Sequence, residues 1–386
     1  MLRRERSPKG LSQPLHVGVI GPALDMTGGI SLLYRYVRAS LPESVRPHWI
    51  FTRNSHGSAL LSVFWVIAAI FRMTALAMMN RLDVMHINVS HGASAMRKAA
   101  IIWWSKSVLR RPVLVHVHTG AHVLHRIPNR LRPVVRKQLR RCDYVGILAG
   151  GRRDEMLDLF GSTAKVELLR IGVPDVSPDG QTRLAQGEAA SGAPTTPKNA
   201  SGRAFDLVFA GLLGTHKGLD LLFAALQMPQ CTDMRLVIAG PGDIGYWRGQ
   251  ATQHDLNDRV TFLGPVSSGL VQQLLTLSDA MVLPSRGEGL PVILMEALSA
   301  GAVVCVSKVG AVPEVLVDGV TGFLIPTLTP QDIAHTLQRA RDSQSIQGVR
   351  TAARALWEQS FDCSKTSESL ANVWYSVAQS RSSHDW

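Results

Sequence analysis

Two glutamates flank a short apolar stretch in the second half of the chain. The segment RGEGLPVILMEAL, residues 286–298, places Glu288 and Glu296 on either side of a glycine and a proline. Pro291 suits the first turn of a helix, because its ring fixes φ and the N–H that it lacks has no helical partner there. A carboxylate on the apolar side of such a helix is costly unless a polar group occupies the space that it faces. We therefore expect a polar ligand beside this helix.

The types of residue in this segment indicate what that ligand is. The backbone N–H groups around Gly289 and Leu290 precede the helix, and a helix N-terminus attracts phosphate. Carboxylates on either flank can accept hydrogen bonds from the hydroxyls of ribose and of a sugar. The combination predicts a nucleotide sugar. The alternative for the two acids alone is a solvated loop glutamate and a helix glutamate paired with Lys or Arg.

Length and charge indicate the number of domains and the kind of partner. The chain has 386 residues, which favours two domains over one. Residues 1–180 contain 26 Lys and Arg against 11 Asp and Glu, whereas residues 181–386 contain 15 against 18. The basic half therefore predicts an anionic partner or surface. Four widely spaced cysteines have no metal-ligand spacing, and no Asp-x-Asp pair lies in a plausible site, so we expect free thiols, a reducing compartment and no metal.

The hydrophobic pattern predicts an α/β fold. Short runs rich in Val and Ile alternate with helical stretches, and strands so continuously apolar belong to parallel sheets covered on both faces. Two series of runs predict two Rossmann-like domains, residues 1–175 and 205–362. Residues 176–204 are rich in Ser, Thr, Ala, Gly and Pro and predict a linker or disordered loop. Residues 363–386 predict a helix and tail that pack back on the N-terminal domain.

The eleven predicted strands are HVGVIG, DVMHIN, PVLVHVH, YVGILAG and KVELLRIG in the first half, and FDLVFAG, RLVIAG, VTFLG, AMVLPS, AVVCVS and GFLI in the second. PLHVGVIGPAL, near the N-terminus, is short and broken by Gly and Pro. It therefore predicts a first buried strand rather than a signal peptide.

Residues 279–325 resemble the donor-binding signature of glycosyltransferase family 4. The match extends upstream, where FAGLLGTHKGLDLLFAAL, residues 209–226, is similar to the family's first C-domain strand and phosphate loop. The resemblance implies the GT-B architecture, in which two Rossmann-like domains have parallel sheets that face a central cleft. It also implies sugar transfer from a nucleotide diphosphate sugar with retention of configuration, without a covalent carboxylate nucleophile.

The resemblance assigns roles to residues of the C-terminal domain. Glu296 inherits contact with the nucleotide ribose, Glu288 a place near the donor sugar, and Lys217 the neutralisation of the diphosphate. Backbone groups of Gly211, Gly289 and Leu290 are expected to line the same donor site. Leu212 is a departure, because the family commonly has an arginine after this glycine. Either Lys217 acts alone, or a basic residue such as Arg286 substitutes.

Two features of the N-terminal half are candidate site residues. Gly28 and Gly29 follow the first strand, where a glycine pair lets backbone approach a phosphate or an acceptor closely, although an ordinary turn is the alternative. His118 ends the strand PVLVHVH, and ligands bind at the carboxyl ends of parallel strands. The resemblance places it at the cleft near the donor sugar. His86 and His116 lie inside apolar strands, as core histidines do.

Two surfaces predict contact with a membrane. Residues 58–80 are almost uniformly apolar, but Arg72 interrupts them before the about 18–20 residues that a bilayer requires. We expect a buried or interface-lying helix, with a transmembrane span as the alternative. Residues 125–142 contain seven Lys and Arg and no acid, and residues 96–112 pair five cations with Trp103 and Trp104. Such mixtures suit anionic headgroups, although a solvated helix face has the same composition.

These features together define a functional hypothesis. The chain transfers a sugar from a UDP- or GDP-sugar to a hydroxyl of a lipid-linked saccharide or glycolipid, as a cytoplasmic protein peripheral on the inner face of the cell membrane. Neither a metal nor a nucleic-acid partner is expected, since no DNA or RNA motif accompanies the positive charge. The alternatives are a nucleotide-sugar epimerase or phosphorylase of the same fold, and a non-enzymatic protein that binds anionic membranes.

Overall fold

The chain forms two compact units. The computed structural model describes residues 14–26, 28–52, 59–90, 92–118, 123–176 and 204–380. The first unit comprises Met1–Ile171 and Ser364–Trp386, and the second comprises Gly172–Cys363. The predicted linker, residues 176–204, lies outside the described residues except at its two ends.

The first unit contains a six-stranded parallel sheet with the order β2-β1-β3-β4-β5-β6. Because β1 pairs with β2 on one side and with β3 on the other, the winding direction reverses at β1. The strands are β1 (Leu15–Gly21), β2 (Val45–Phe51), β3 (Val84–Val89), β4 (Val113–Val117), β5 (Tyr144–Ile147) and β6 (Lys165–Leu168). The connecting helices are α1 (Gly29–Ser40), α2 (Ala59–Met78), α3 (Ala93–Ser107), α4 (Arg132–Leu139) and α5 (Arg153–Phe160).

The second unit contains another six-stranded parallel sheet, with the order β12-β11-β10-β7-β8-β9. Its strands are β7 (Phe205–Ala210), β8 (Met234–Ala239), β9 (Val260–Gly264), β10 (Ala280–Leu283), β11 (Val303–Ser307) and β12 (Phe323–Ile325). Its helices are α6 (Leu219–Leu226), α7 (Ile244–Gln253), α8 (Ser268–Leu277), α9 (Val292–Ser299), α10 (Val312–Val315), α11 (Pro330–Arg341) and α12 (Ile346–Ser360). The two parallel sheets confirm the predicted α/β class.

Among the strands of the described residues, β2, VRPHWIF, is the one that the sequence did not predict. It lies at the edge of the first sheet, where a proline removes no ladder hydrogen bond on the solvent side. Its middle residues are partly exposed, so it lacks the continuous apolar run that marked the others. The central strands β3 and β4 are buried along their whole length, because helices cover both faces of the sheet.

The last helix, α13 (Cys363–Gln379), belongs to the first unit although the second unit precedes it in the chain. Trp374 of this helix is fully buried, and its indole Nε1 donates a hydrogen bond to Nδ1 of His86 at 3.0 Å. The first unit therefore takes a buried aromatic side chain from the end of the chain into its sheet.

Helix α2 has a strongly apolar sequence, yet much of its surface faces solvent. Phe64, Ile67, Phe71 and Met78 are all exposed, and their spacing places them along one side of the helix. The opposite side is buried through residues such as Met73. Among the described residues, no helix has the length and apolar character needed to cross a membrane.

Candidate functional site

The candidate site of the second unit lies where the winding of its sheet reverses. β7 and β10 are neighbours there, and the chain continues through β8 and β9 on one side and through β11 and β12 on the other. Loops at the carboxyl ends of two such strands leave a crevice between them, and open α/β sheets bind ligands at this point. The loop after β7 carries Lys217, and the loop after β10 carries Glu288.

The structure brings Lys217 and Glu288 together. Lys217 Nζ donates a hydrogen bond to Oε1 of Glu288 at 2.6 Å, and the two side chains are only 19% and 13% exposed. Such a charge-assisted hydrogen bond is among the stronger polar contacts in proteins. The sequence predicted both residues for one site, but it gave no indication that they form an ion pair.

A second ion pair holds the same two loops. Arg286 binds Asp220 through both guanidinium nitrogens, at 2.8 and 2.6 Å, and also donates to the carbonyl of Thr215. Gly218 has a φ of +76°, and a Cβ there would lie 2.0 Å from the carbonyl oxygen of Pro284. Arg286, the residue suggested as a substitute for the missing family arginine if Lys217 does not act alone, thus contacts the loop that carries Lys217.

The loop that carries Glu288 rests on the segment after β11. Gly310 has a φ of +59°, and a Cβ there would lie 2.2 Å from the backbone oxygen of Glu288 and 2.4 Å from that of Gly289. The backbone N–H of Ala311 donates to the Gly289 oxygen at 2.8 Å. Only glycine fits this approach, because a side chain would meet both a strained φ and two backbone atoms.

We expect Gly310→Ala to lower the free energy of unfolding by about 2 kcal/mol or more, since a non-glycine residue at positive φ costs about 1–3 kcal/mol before the clash is counted. Urea denaturation of the two proteins measures the difference. Gly287→Ala is the matched control, because a Cβ there meets nothing within 4 Å and its φ is outside the left-handed region. Equal stability of the two variants would contradict the role assigned to Gly310.

The helix that follows Glu288 and contains Glu296 is α9. Pro291 is its N-cap residue, with a φ of −65°, and no side chain caps the first turn. Glu296 lies inside the helix and is 5% exposed, while Leu290 is buried just before it. The structure thus carries the second acid into a buried position beside a helix N-terminus, as the sequence indicated.

At the start of the phosphate loop predicted after β7, glycines allow the ends of β7 and β8 to approach closely. Gly211 has a φ of +154°, and its N–H donates to the Ala239 oxygen at 2.9 Å. A Cβ on Gly240 would lie 1.9 Å from the Gly211 oxygen, so the ends of β7 and β8 approach too closely for side chains. Leu212, where the family commonly has arginine, is 51% exposed.

Comparison with known proteins bears directly on this unit. Residues 196–354 match the family model described as glycosyl transferases group 1. These residues have the sequence pattern of the group 1 glycosyltransferases. The family resemblance drawn from residues 209–226 and 279–325 is thereby confirmed. Lys217, Glu288 and Glu296 all lie inside the group 1 glycosyltransferase region.

Relatives match this region over only part of their length. A D-inositol 3-phosphate glycosyltransferase of Jonesia denitrificans is 31% identical over 159 residues, which are 38% of each chain. A glycogen synthase of Mycobacterium tuberculosis is 27% identical over 245 residues, or 61% of this chain and 55% of that protein. The chain therefore spans about a third to a half of the length of these curated relatives.

Solved structures extend the similarity of fold to nearly the whole chain. Anabaena HepE, crystallised in complex with UDP and glucose, has a TM-score of 0.69 at 18% identity, covering 94% of this chain and 100% of that one. The sucrose-phosphate synthase of Thermosynechococcus elongatus has a TM-score of 0.74 at 16% identity, covering 95% and 100%. These are GT-B structures, and the group 1 glycosyltransferase region here is part of the same fold.

The predicted residues of the first unit are placed as follows. Gly28 is the N-cap residue of α1 with a φ of 149°, its backbone oxygen accepts the Leu32 N–H at 3.1 Å, and Gly29 is the first helical residue. A Cβ on Gly28 would meet nothing within 4 Å. His118 follows β4 and is 8% exposed, with Nε2 at 2.8 Å from Oδ1 of Asn88.

Burial dominates the electrostatics of the histidines in this unit. It lowers the pKa of His118 well below its usual value, and the nearby His116 and His86 rings act in the same direction. Burial also lowers the pKa of His116 to about 4. All three rings are therefore neutral near physiological pH. The sequence did not single out Asn88, Tyr34 or Trp374, whose contacts with these rings depend on the fold.

Metal binding was not expected. Among the described residues, no group of three or more His, Cys, Asp or Glu side chains is arranged to hold a metal ion. The four cysteines are free thiols and are buried: Cys142, Cys231, Cys305 and Cys363.

Proposed function

We propose that the protein is a retaining glycosyltransferase that uses a nucleotide diphosphate sugar as donor. The observation that carries the proposal is the partly buried Lys217–Glu288 ion pair at the switch point of the second sheet, inside the group 1 glycosyltransferase region. A cation and an acid at this position supply one partner for a diphosphate and one for a sugar hydroxyl. A structural ion pair alone would not require the buried Glu296 and an uncapped helix N-terminus next to it.

The donor diphosphate lies, in this proposal, against the N-terminus of α9 and Lys217. The ammonium group exchanges its bond to Glu288 for one to the diphosphate, and it stabilises the negative charge that grows as the sugar leaves. The Gly211, Gly289 and Leu290 backbone lines the site, and Glu296 accepts hydrogen bonds from the ribose hydroxyls. The leaving diphosphate oxygen takes the acceptor proton, and attack on the same face retains the configuration. No metal is needed in this scheme.

Donor choice is tested by a thermal-shift screen of UDP- and GDP-sugars, followed by radiolabel transfer to membrane lipids. Binding of a nucleotide sugar raises the melting temperature, and labelled lipid or saccharide establishes transfer. Donor consumption without any acceptor would instead identify an epimerase or phosphorylase. An unchanged donor in the presence of lipid extracts would contradict transferase activity. UDP-glucose is the first donor to test, because the similar structure of HepE was determined in complex with UDP and glucose.

We further propose that the first unit binds an anionic membrane and presents a lipid-linked acceptor. Support comes from α2, whose exposed Phe64, Phe71 and Met78 form an apolar face, with Arg72 and Arg81 exposed beside it. Isolated apolar side chains on a surface are ordinary, but a contiguous row of large ones marks an interaction site. Cations at its border favour anionic headgroups over a neutral protein surface.

The neighbouring helices add charge to this surface, although less than the sequence predicted. α2 packs on α3, and α3 packs on α4, whose Arg132 and Lys137 are exposed. In α3, however, Lys98 is buried and donates to Thr52, and Lys106 pairs with Asp143. Part of the basic stretch at residues 96–112 is therefore internal, so the lipid-facing charge lies mainly on α4 and around α2.

We expect Phe71→Ser to weaken binding to vesicles that contain anionic lipid by about tenfold. Burial of one such side chain is worth about 1.5–3 kcal/mol, and about 1.4 kcal/mol corresponds to tenfold in affinity. Sedimentation of protein with sucrose-loaded vesicles measures this. Leu277→Ser is the control, because Leu277 is also an exposed apolar residue but lies in the second unit. An equal loss in both variants, or none in either, would argue against α2 as the membrane surface.

A further inference from the structure

A chain of buried polar side chains links α13 to the end of β4 in the first unit. Trp374 Nε1 lies 3.0 Å from His86 Nδ1, and His86 Nε2 lies 3.1 Å from the Tyr34 hydroxyl. That hydroxyl lies 2.7 Å from Oδ1 of Asn88, and the same oxygen lies 2.8 Å from Nε2 of His118. All five residues are buried. Each contact fixes where one proton lies.

The orientation of the Asn88 amide sets the direction of hydrogen-bond donation at one end of this series of side chains. Its Nδ2 lies 3.0 Å from the backbone oxygen of Ile20, so this nitrogen is the donor. A flipped amide would place Oδ1 against that carbonyl, and two acceptors would face each other. Oδ1 therefore faces His118, and because an amide oxygen only accepts, the proton between them belongs to His118 Nε2.

The other end of the series, at Trp374, requires the same direction of hydrogen-bond donation. An indole N–H can only donate, so His86 Nδ1 accepts from Trp374 and the His86 proton is on Nε2. Nε2 then donates to the Tyr34 oxygen, and the Tyr34 proton goes to Asn88. The proton positions assigned from Trp374 are therefore consistent with those assigned from Asn88. A satisfied network of this kind is favourable in a buried site, whereas a reversed proton would leave a donor facing a donor.

His118 carries a single proton under these conditions. Burial and the adjacent His116 and His86 rings keep its pKa well below the usual value, so the ring is neutral near physiological pH. These two rings and the Tyr34 phenol are the titratable groups of the network around it, and the same burial keeps them uncharged. With the proton on Nε2, the Nδ1 atom of His118 has a bare lone pair.

We infer that Asn88 is a positioning residue, which fixes His118 in the Nε2–H tautomer and leaves Nδ1 to accept a hydrogen bond from a hydroxyl group of a bound substrate. The tautomer follows from the first unit alone, whereas the contact with a substrate hydroxyl rests on the proposed function. A neutral acceptor repels phosphate and carbonyl oxygens, because lone pairs would oppose each other. The ligand group that it selects is therefore a hydrogen-bond donor.

The tautomer can be read directly by NMR. The full-length protein is labelled with ring-¹⁵N histidine, two-bond ¹⁵N–¹H correlations are recorded near neutral pH, and the His118 signals are assigned by their loss in His118→Gln. We expect a protonated Nε2 and an unprotonated Nδ1, with no titration between about pH 6 and pH 8. A protonated Nδ1, a mixture of tautomers, or a charged ring would overturn the inference.

Asn88→Asp separates positioning from a structural role. The carboxylate keeps the acceptor next to Nε2 but stabilises the charged imidazolium, so the titration midpoint of His118 rises by about one pH unit or more. Nδ1 then becomes a donor at lower pH, and we expect donor turnover to fall as pH drops through that midpoint. The wild type lacks this fall in turnover at lower pH because the pKa of its His118 is too low. An unshifted His118 titration in the variant would contradict the inference.

Tyr34→Phe is the matched control. It removes the hydroxyl that accepts from His86 but leaves the amide oxygen of Asn88 facing His118. We expect the His86 signals to change and His118 to stay in the Nε2–H form. A changed His118 tautomer in this variant would transfer the positioning role from Asn88 to the hydroxyl. Because the spectra need no substrate, they decide the tautomer even if no nucleotide sugar binds and the proposed function fails.

Discussion

Lys217→Ala is expected to lower kcat for sugar transfer by about 10²–10³-fold, which is the usual cost of removing one group that stabilises charge in a transition state. The reason is that Lys217 lies at the switch point of the second sheet, where its ammonium group is bonded to Glu288 at 2.6 Å. Leu212 offers no second positive charge, and Arg286 is bonded to Asp220. The measurement is radiolabel transfer from the donor under saturating conditions.

The control for Lys217→Ala is Lys165→Ala. Lys165 also pairs with a glutamate, Glu167, but it lies on β6 of the first unit, at the far edge of that sheet. We expect wild-type turnover for this variant. If Lys217→Ala kept more than about a tenth of the wild-type kcat, the lysine would be an ordinary structural ion pair, since loss of a salt bridge of modest exposure changes stability rather than the chemical step.

Glu296→Ala is expected to weaken nucleotide binding by about 10–100-fold. Hydrogen bonds to a charged group are worth about 1.5–3 kcal/mol, and about 1.4 kcal/mol is tenfold in Kd. Glu296 is buried inside α9, so little solvent competes for its hydrogen bonds with a ribose. Isothermal titration of wild type and variant with UDP and GDP measures the change.

Two further variants make the result of Glu296→Ala specific. Glu296→Gln keeps the size of the side chain and tests whether the charge is needed. Glu358→Gln, in α12 of the same unit, is the control, because Glu358 is half exposed and bonded to Arg354. Wild-type nucleotide affinity in both Glu296 variants would contradict the ribose assignment, whereas an equal loss in all three would indicate a general effect of lost charge.

Of the twelve strands in the described residues, eleven could be predicted because each contains a short run rich in apolar residues, and the central ones are buried along their whole length. β2 could not, since its pattern is that of an edge strand and contains Pro47. The group 1 glycosyltransferase region was recognisable because its residue types recur at fixed spacing in residues 209–226 and 279–325. Gly310 shows the limit of such patterns: its φ and its approach to Glu288 arise from loops that are separate in the chain.

Residue types and local spacing by themselves indicated the α/β class and the pair of glutamates at α9, and the family resemblance added Lys217, because these features depend on neighbours in sequence. The tertiary structure alone decided which polar groups meet. It paired Lys217 with Glu288, bound Arg286 to Asp220, and brought Asn88 to His118. It also decided that α2 exposes its apolar side. Contacts between residues far apart in the chain are set by sheet order and helix packing, which a one-dimensional pattern does not encode.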